Sequence, residues 1–253
     1  MPGAVQSVER AAAILRLLAA EEESLALGQV ASALALAKPT VHGLIRTLVD
    51  VGFVEQDRLS GRYAVAADLF RLGAARLDVN ELRSRAMNWT DSLAAHTGES
   101  AQLVAFRDGR AVIAHHVFRV GGTDQVVRTG AAVSLHANAF GKVLAAFDPV
   151  AARAAVAAPL VALTRRTVID RQSWRLELAR VRTAGWAGAV AEEEPDKAGI
   201  AAPVRDRGGY LLAAVGIEGS PDRMCDEKGH PRTALVTQVQ RAARSITREL
   251  SRS

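Results

Sequence analysis

The sequence predicts an α+β protein in which three short helices and a β-hairpin precede a larger domain of mixed strands and helices. Three observations point there. Apolar residues recur at helical spacing from Val8 to Leu18 and again from Val41 to Leu48. Two short strand-like runs flank Arg58-Leu59-Ser60-Gly61. Beyond residue 100, apolar runs meet at Asp108-Gly109 and Gly208-Gly209 with helical stretches between them. That texture fits hairpins in an α+β domain better than a doubly wound parallel sheet.

Ser7 is the expected N-cap of the first helix, with Val8, Ala11, Ala12, Leu15 and Leu18 on its buried face. The acidic run Glu21–Glu23 ends it. A second helix fits Gly28–Leu34, with Val30, Ala31 and Leu34 inward. A tight connection, Ala35–Ala37, leads to a third. Pro39 sits in its first turn, where a missing N–H costs nothing. Val41, Leu44, Ile45 and Leu48 form its core stripe, and Gly52 stops it. Phe53–Asp57 and Arg62–Val65 make the hairpin. Three helices and a hairpin in this order form a winged helix-turn-helix.

Ala67–Leu77 reads as a linker helix and Glu81–Thr97 as a longer helix closed by Gly98. The expected domains are therefore 1–66, a linker over 67–80, and 81–253. In the last, strands are expected at Ala101–Phe106, Ala111–Phe118, Gln125–Arg128, Ala187–Ala191, Ile200–Val204 and Leu211–Ile217. Helices are expected at His136–Phe147, Gln172–Ala184 and Thr233–Leu250. The final helix has a stripe of Leu235, Val239, Ala242, Ala243, Ile246 and Leu250.

Of the 253 residues, 49% are apolar and 23% charged, ample for a core and incompatible with disorder throughout. The longest apolar run, Ala154–Leu163, is interrupted by Pro159 and is half the length of a membrane span. No signal peptide is read at the N-terminus, so a soluble cytoplasmic protein is expected. Cys225 is the single cysteine, which forbids an intramolecular disulfide and a multi-cysteine zinc site.

Net charge is +5, yet residues 1–80 hold 8 Lys and Arg against 9 Asp and Glu. Bulk charge therefore gives no case for nucleic acid, and placement must decide. Lys38–Thr47 contains two cations and no acid. Pro39, His42, Gly43, Arg46 and Asp50 fall opposite the core stripe of the third helix, with Lys38 and Thr40 at its exposed start. Small or polar residues and an arginine suit a recognition helix in the major groove, where Arg46 can pair with guanine and Thr40 with a thymine methyl or a phosphate. Arg58 and Arg62 on the wing are placed for phosphate or minor groove. The competing reading is an ordinary amphipathic unit with a solvated polar face.

Several segments resemble the IclR family of bacterial transcriptional regulators. They are Ser7-Val8-Glu9-Arg10-Ala11, Ala37-Lys38-Pro39-Thr40-Val41-His42, Gly52-Phe53-Val54 and Gly61-Arg62-Tyr63. Leu135-His136-Ala137-Asn138-Ala139-Phe140-Gly141-Lys142 continues the match, as do Glu192-Glu193 and Ile200-Ala201-Ala202-Pro203-Val204. Leu77–Arg83 and Asn88–Asp91 are similar to the glycerol operon regulators of actinomycetes within that family. The resemblance implies an effector-binding domain with a curved antiparallel sheet. It also implies dimers or tetramers on palindromic double-stranded operators, and control by a small polar metabolite such as glycerol or glycerol 3-phosphate, in a family whose members repress, activate or do both; a repressor is the expectation here. It places the effector at Leu135, His136, Ala139, Phe140, Gly141, Glu192 and Gly199. The helix start at Ala137–Gly141 is expected to offer free N–H groups to a polar or anionic ligand. The chain departs from the family pattern at Ala189, Phe140 and Gly199, which implies a differently shaped pocket.

Other constellations carry little. His115 and His116 on one strand point to opposite faces and cannot share a metal. Cys225 and His230 are isolated, and Glu192-Glu193-Glu194 reads as a solvated charge run. No G-x-S-x-G, G-x-G-x-x-G or Walker-type loop is present. No metal, cofactor, catalytic residue or membrane partner is expected. The alternative is a metabolite-binding protein or enzyme with an accessory winged-helix domain, or a winged helix used as a protein-interaction module.

Overall fold

The computed structural model describes residues 5–21, 24–57, 60–66, 69, 79–119, 121–122, 125–157 and 159–251. The chain divides into two compact units, residues 1–76 and 77–253.

In the first unit, α1 (Gln6–Ala20), α2 (Leu27–Ala33) and α3 (Lys38–Asp50) precede a hairpin of β1 (Val54–Gln56) and β2 (Tyr63–Val65). Ile14, Leu18, Val30, Val41, Ile45 and Leu48 form one core with Val54 and Tyr63. Leu25 exchanges two backbone hydrogen bonds of 2.8 Å with Tyr63, which ties the α1–α2 connection to the wing. Val8 lies outside this core: it is 64% exposed, one turn before the packed stripe begins. Ser7 is inside the helix, and Val5 holds the N-cap position without a side-chain bond. The tight α2–α3 connection forces Ala35 to φ 51°, a left-handed conformation that disfavours a side chain. Arg58 and the linker helix expected over 67–80 lie outside the described residues, apart from Leu69 and the two residues that open the next helix.

The second unit starts with α4 (Val79–Thr97) and two long strands, β3 (Ser100–Arg107) and β4 (Arg110–Val117). Asp108 and Gly109 join them with φ of 48° and 76°, the paired positive values of a tight hairpin turn. There follow β5 (Ala132–Val133), α5 (Ala139–Phe147), α6 (Pro149–Ala157), α7 (Arg171–Ala184), β6 (Ala187–Val190), β7 (Ala198–Arg205) and β8 (Leu211–Gly219). A short α8 (Pro221–Met224) and the long α9 (Thr233–Leu250) close the unit.

The six strands form one curved antiparallel sheet in the order β5-β4-β3-β8-β7-β6. Register shifts at Leu103/Val104 and Val204/Arg205 interrupt its ladders, and such shifts bend and twist a strand. Alternation along the strands splits the core in two. Leu103, Ile200, Val215 and Ile217 face α4 and α9, where Leu82, Leu93, Val239 and Ile246 meet them. Val104, Ile113, Ala201 and Ala214 face α5 and α7, meeting Phe140, Leu144, Trp174 and Leu178.

Three sequence expectations need correction here. Gln125–Arg128 is not a strand: the Gln125 side chain hydrogen-bonds the backbone of Arg119 at 2.8 and 2.9 Å, and Ala132–Val133 pairs with β4 instead. The helix expected from His136 begins at Ala139, because Asn138 caps it by accepting from the Phe140 N–H at 2.9 Å. In the Glu192–Glu194 run, Glu192 and Glu193 are held by partners on other elements, and only Glu194 remains largely solvated.

Candidate nucleic-acid interface and effector site

On α3, Val41, Ile45 and Leu48 are buried, and this rotation turns Lys38, Pro39, His42, Gly43 and Arg46 outward, with Thr40 partly covered. Lys38 and Arg46 make no ion pair among the described residues. The helix has no acidic residue in its first turn and no side chain capping its N-terminus, so its partial positive end is open. Nothing among the described residues demands a glycine at position 43: a Cβ there would meet no atom within 4 Å beyond its own helix backbone. A glycine inside a helix costs about 0.5–1 kcal/mol relative to alanine. The vacancy faces outward, which suits close approach to a surface.

Arg62 behaves differently. Its Nε donates to the Ser24 carbonyl at 2.7 Å and its Nη2 to Gln29 Oε1 at 3.2 Å. Gln29 Oε1 also accepts the Ala26 N–H that opens α2. The wing arginine thus also fixes the α1–α2 corner, with two of its five N–H donors.

In the second unit, β6, β7 and the start of α5 bring Ala139, Glu192 and Gly199 together around a cavity of only about 10 Å³. That is the size of a single water at most. Leu135, His136, Phe140 and Gly141 do not line it. Phe140 is wholly buried in the apolar core. Leu135 packs on that core, and His136 Nε2 lies 2.9 Å from the Val161 carbonyl. Gly141 is glycine because a Cβ there would collide with the backbone of Ser134 and Leu135.

The donors expected at the α5 N-terminus are partly occupied. Asn138 takes the Phe140 N–H, and Ser134 Oγ takes the Ala137 N–H at 3.2 Å. Glu193 reinforces this turn by accepting from the Ser134 N–H at 2.8 Å and from Asn138 Nδ2 at 2.6 Å. Its neighbour Glu192 pairs with Lys142, whose Nζ also reaches Glu177 at 3.3 Å and the Gly188 carbonyl at 3.2 Å. Burial pushes the Glu192 carboxyl up, against the pull of Lys142. Burial also opposes ionisation of Glu177, yet Arg180 and Lys142 together hold that carboxyl below its usual range. Thr164 and Thr167 donate 2.6 Å hydrogen bonds to the carbonyls of Ala191 and Glu192. Glu192 and Glu193 therefore form a clasp over the start of α5.

Glu218 on β8 walls this small cavity and borders a roomier cleft of about 360 Å³. The register Ser100↔Glu218 and Gln102↔His116 collects polar groups from three strands on one face. Glu218 Oε2 accepts from Arg128 Nη1 at 2.7 Å and from Gln102 Nε2 at 3.3 Å. Gln102 is fully buried, and its Oε1 has no partner among the described residues. His116 Nδ1 accepts the Arg128 N–H at 3.3 Å, so the proton sits on Nε2, which donates to Ser100 Oγ at 2.9 Å. Burial lowers the His116 pKa, with Arg128 and His115 adding to the effect. It raises that of Glu218, opposed by Arg128 and Lys197. Across the cleft, Glu99 receives a two-point bond from Arg223 at 2.6 and 3.0 Å.

The sequence reading missed Gln102, His116, Arg128 and Glu218 as a group. Strand register alone unites them. The signal available was a polar Gln102 inside an apolar strand and Glu218 at the end of another.

Two family models cover nearly the whole chain. Residues 7–58 match the IclR helix-turn-helix domain, and residues 74–248 match the bacterial transcriptional regulator IclR C-terminal domain. The chain belongs to the IclR family of transcriptional regulators. It is a DNA-binding regulator of that type, and its relatives are regulators, not enzymes. It is 48% identical over 246 residues to the glycerol operon regulatory protein of Streptomyces coelicolor, covering 97% of this chain and 96% of that one. The protein of the same name from Streptomyces griseus is 46% identical with the same coverage. The crystal structure of the Thermotoga maritima IclR superposes with a TM-score of 0.60 at 22% identity, over 97% of this chain and 98% of the other, which shows the shared fold. Among the described residues, no helix of this IclR regulator is long and apolar enough to cross a membrane.

Proposed function

We propose that this protein represses a glycerol catabolic operon in the cytoplasm and releases its operator when a small polar metabolite, glycerol or glycerol 3-phosphate, binds the second unit. The observation that carries this is the near full-length likeness to two glycerol operon regulatory proteins. The exposed face at the start of α3, with two cations and no acid over Lys38–Thr47, supports the DNA half. Residues 1–66 form the DNA-binding domain, 67–80 the linker and 81–253 the effector domain. Lys38, Pro39, Thr40, His42, Gly43 and Arg46 contact the duplex, joined by Arg58, while Arg62 also braces the corner beside the wing. A homodimer or homotetramer engages a palindromic operator, presenting one α3 to each half-site.

The effector occupies the cleft bordered by Glu218, His116 and Arg128, next to Ala139, Glu192 and Gly199. A pocket of a few hundred Å³ with converging polar groups fits a small metabolite. Release follows if the effector binds the operator-free arrangement more tightly than the operator-bound one. The test is a gel shift of the purified protein on DNA from upstream of its own gene, with excess nonspecific DNA. Glycerol, glycerol 3-phosphate and small carboxylates are added in turn. A specific shift released by either glycerol compound is expected. No specific shift at any salt concentration returns the protein to the enzyme or interaction-module reading.

A further inference from the structure

The donors and acceptors left open in the Glu218 cleft define the chemistry of its ligand more closely. Glu218 Oε2 already serves Arg128 and Gln102, whereas Oε1 makes no hydrogen bond among the described residues. Gln102 is sealed behind it and does not reach the cleft. Glu218 Oε1 is therefore the acceptor that awaits a hydrogen-bond donor. A carboxylate or phosphate oxygen set against Oε1 brings no hydrogen to share, which is costly in a half-buried site. Donors are available next door. Ser100 Oγ accepts from His116 and keeps its own O–H to give, and Arg128 has further N–H groups beyond the one held by Glu218. A group that both donates and accepts satisfies this pairing, and hydroxyls do so. A carboxylate next to an arginine engages two hydroxyls on neighbouring carbons, one donating to the carboxylate while the other accepts from the guanidinium.

Resting on the reading of this cleft as the effector site, we propose that it selects ligands with hydroxyls on adjacent carbons, and that Glu218 is the residue that sets this selectivity. Glycerol and glycerol 3-phosphate share that diol. Glycerol 2-phosphate and 1,3-propanediol have the same elements without adjacent free hydroxyls.

The experiment uses the full chain purified in glycerol-free buffer. Calorimetric binding and operator release are measured with glycerol, glycerol 3-phosphate, 1,2-propanediol, glycerol 2-phosphate, 1,3-propanediol and pyruvate. Binding and release are expected for the first three and not for the others. The ratio of glycerol to glycerol 3-phosphate response identifies which source of the diol is preferred. Glu218→Gln and Glu218→Ala each weaken the diol response about tenfold or more, while operator affinity without ligand and the circular dichroism spectrum confirm the fold. Binding of pyruvate but no diol, lost on filling the cleft with Ser100→Phe, keeps the cleft as effector site and overturns the diol inference. Absence of calorimetric binding by any diol likewise overturns the diol inference. Ligand release untouched by both Ser100→Phe and Glu218→Ala shows instead that the effector binds elsewhere, and both readings fail.

Discussion

The Lys142 ammonium lies 2.5 Å from Glu192 Oε1 at a position where Lys142 is only 1% exposed. With Glu177 and Arg180 it forms an alternating row of charges that ties α5 to α7 and to the segment after β6. Breaking one member of such a buried set costs about 3–5 kcal/mol, because a charge is left without a partner. Lys142→Met is expected to lose that much in urea unfolding followed by tryptophan fluorescence. Lys142→Met combined with Glu192→Leu should cost less than Lys142→Met alone, since Arg180 still serves Glu177. A double variant as unstable as the sum of the two single ones would show that the pair is not coupled.

Gly43→Ala should separate folding from DNA binding. Helix propensity favours alanine by about 0.5–1 kcal/mol, and no internal atom opposes a Cβ there. Slower amide exchange in α3 is expected together with weaker operator binding. Unchanged operator affinity would mean that α3 does not meet the duplex closely at this turn.

Arg46 and Arg62 are predicted to fail in different ways. Arg46→Ala removes an exposed cation with no ion-pair partner among the described residues and should cost about 1–3 kcal/mol of operator affinity. Arg62→Ala should leave the salt dependence of operator binding unchanged, because its guanidinium is held by Ser24 and Gln29. It should instead speed amide exchange at Leu25 and Tyr63. A reduced salt slope in Arg62→Ala would place that side chain on phosphate.

The recognition unit was legible because local rules govern it: the apolar spacing of α3, Pro39 in its first turn and Gly52 at its end each act within a few residues. Its errors were local too, as with Val8, where periodicity extended the buried stripe one turn too far. The hairpins at Asp108-Gly109 and Gly208-Gly209 were readable from turn chemistry. The polar cleft proposed for the effector was not, because it depends on strand register across β4, β3 and β8. The motif Leu135–Lys142 lies near it, but most of its side chains have other structural work. Phe140 and Gly141 serve packing, whereas Glu193 and Asn138 close the turn. Lys142 gave no sign in sequence that it would be buried among carboxylates fifty and thirty-five residues away.

His115 on β4 is the last case. Its ring is buried against α4, neither ring nitrogen has a hydrogen-bond partner among the described residues, and Asp91 Oδ1 lies 3.8 Å away, too far for one. Burial, with Arg83 second, lowers its pKa from the usual 6.5 despite Asp91. The unfolded chain then takes up a proton near pH 6.5 that the folded chain resists. Stability contributed by the neutral ring is full above 6.5 and is lost as pH falls toward the lower folded value. His115→Leu should flatten the fall in unfolding free energy between about pH 7 and 5 by up to about 1.4 kcal/mol per pH unit. At neutral pH the same variant should be neutral or slightly stabilising, because an apolar group replaces a polar ring without partners. Denaturant titrations across this range test both points, and an unaltered slope would assign the pH dependence to His116, the other histidine whose pKa burial lowers.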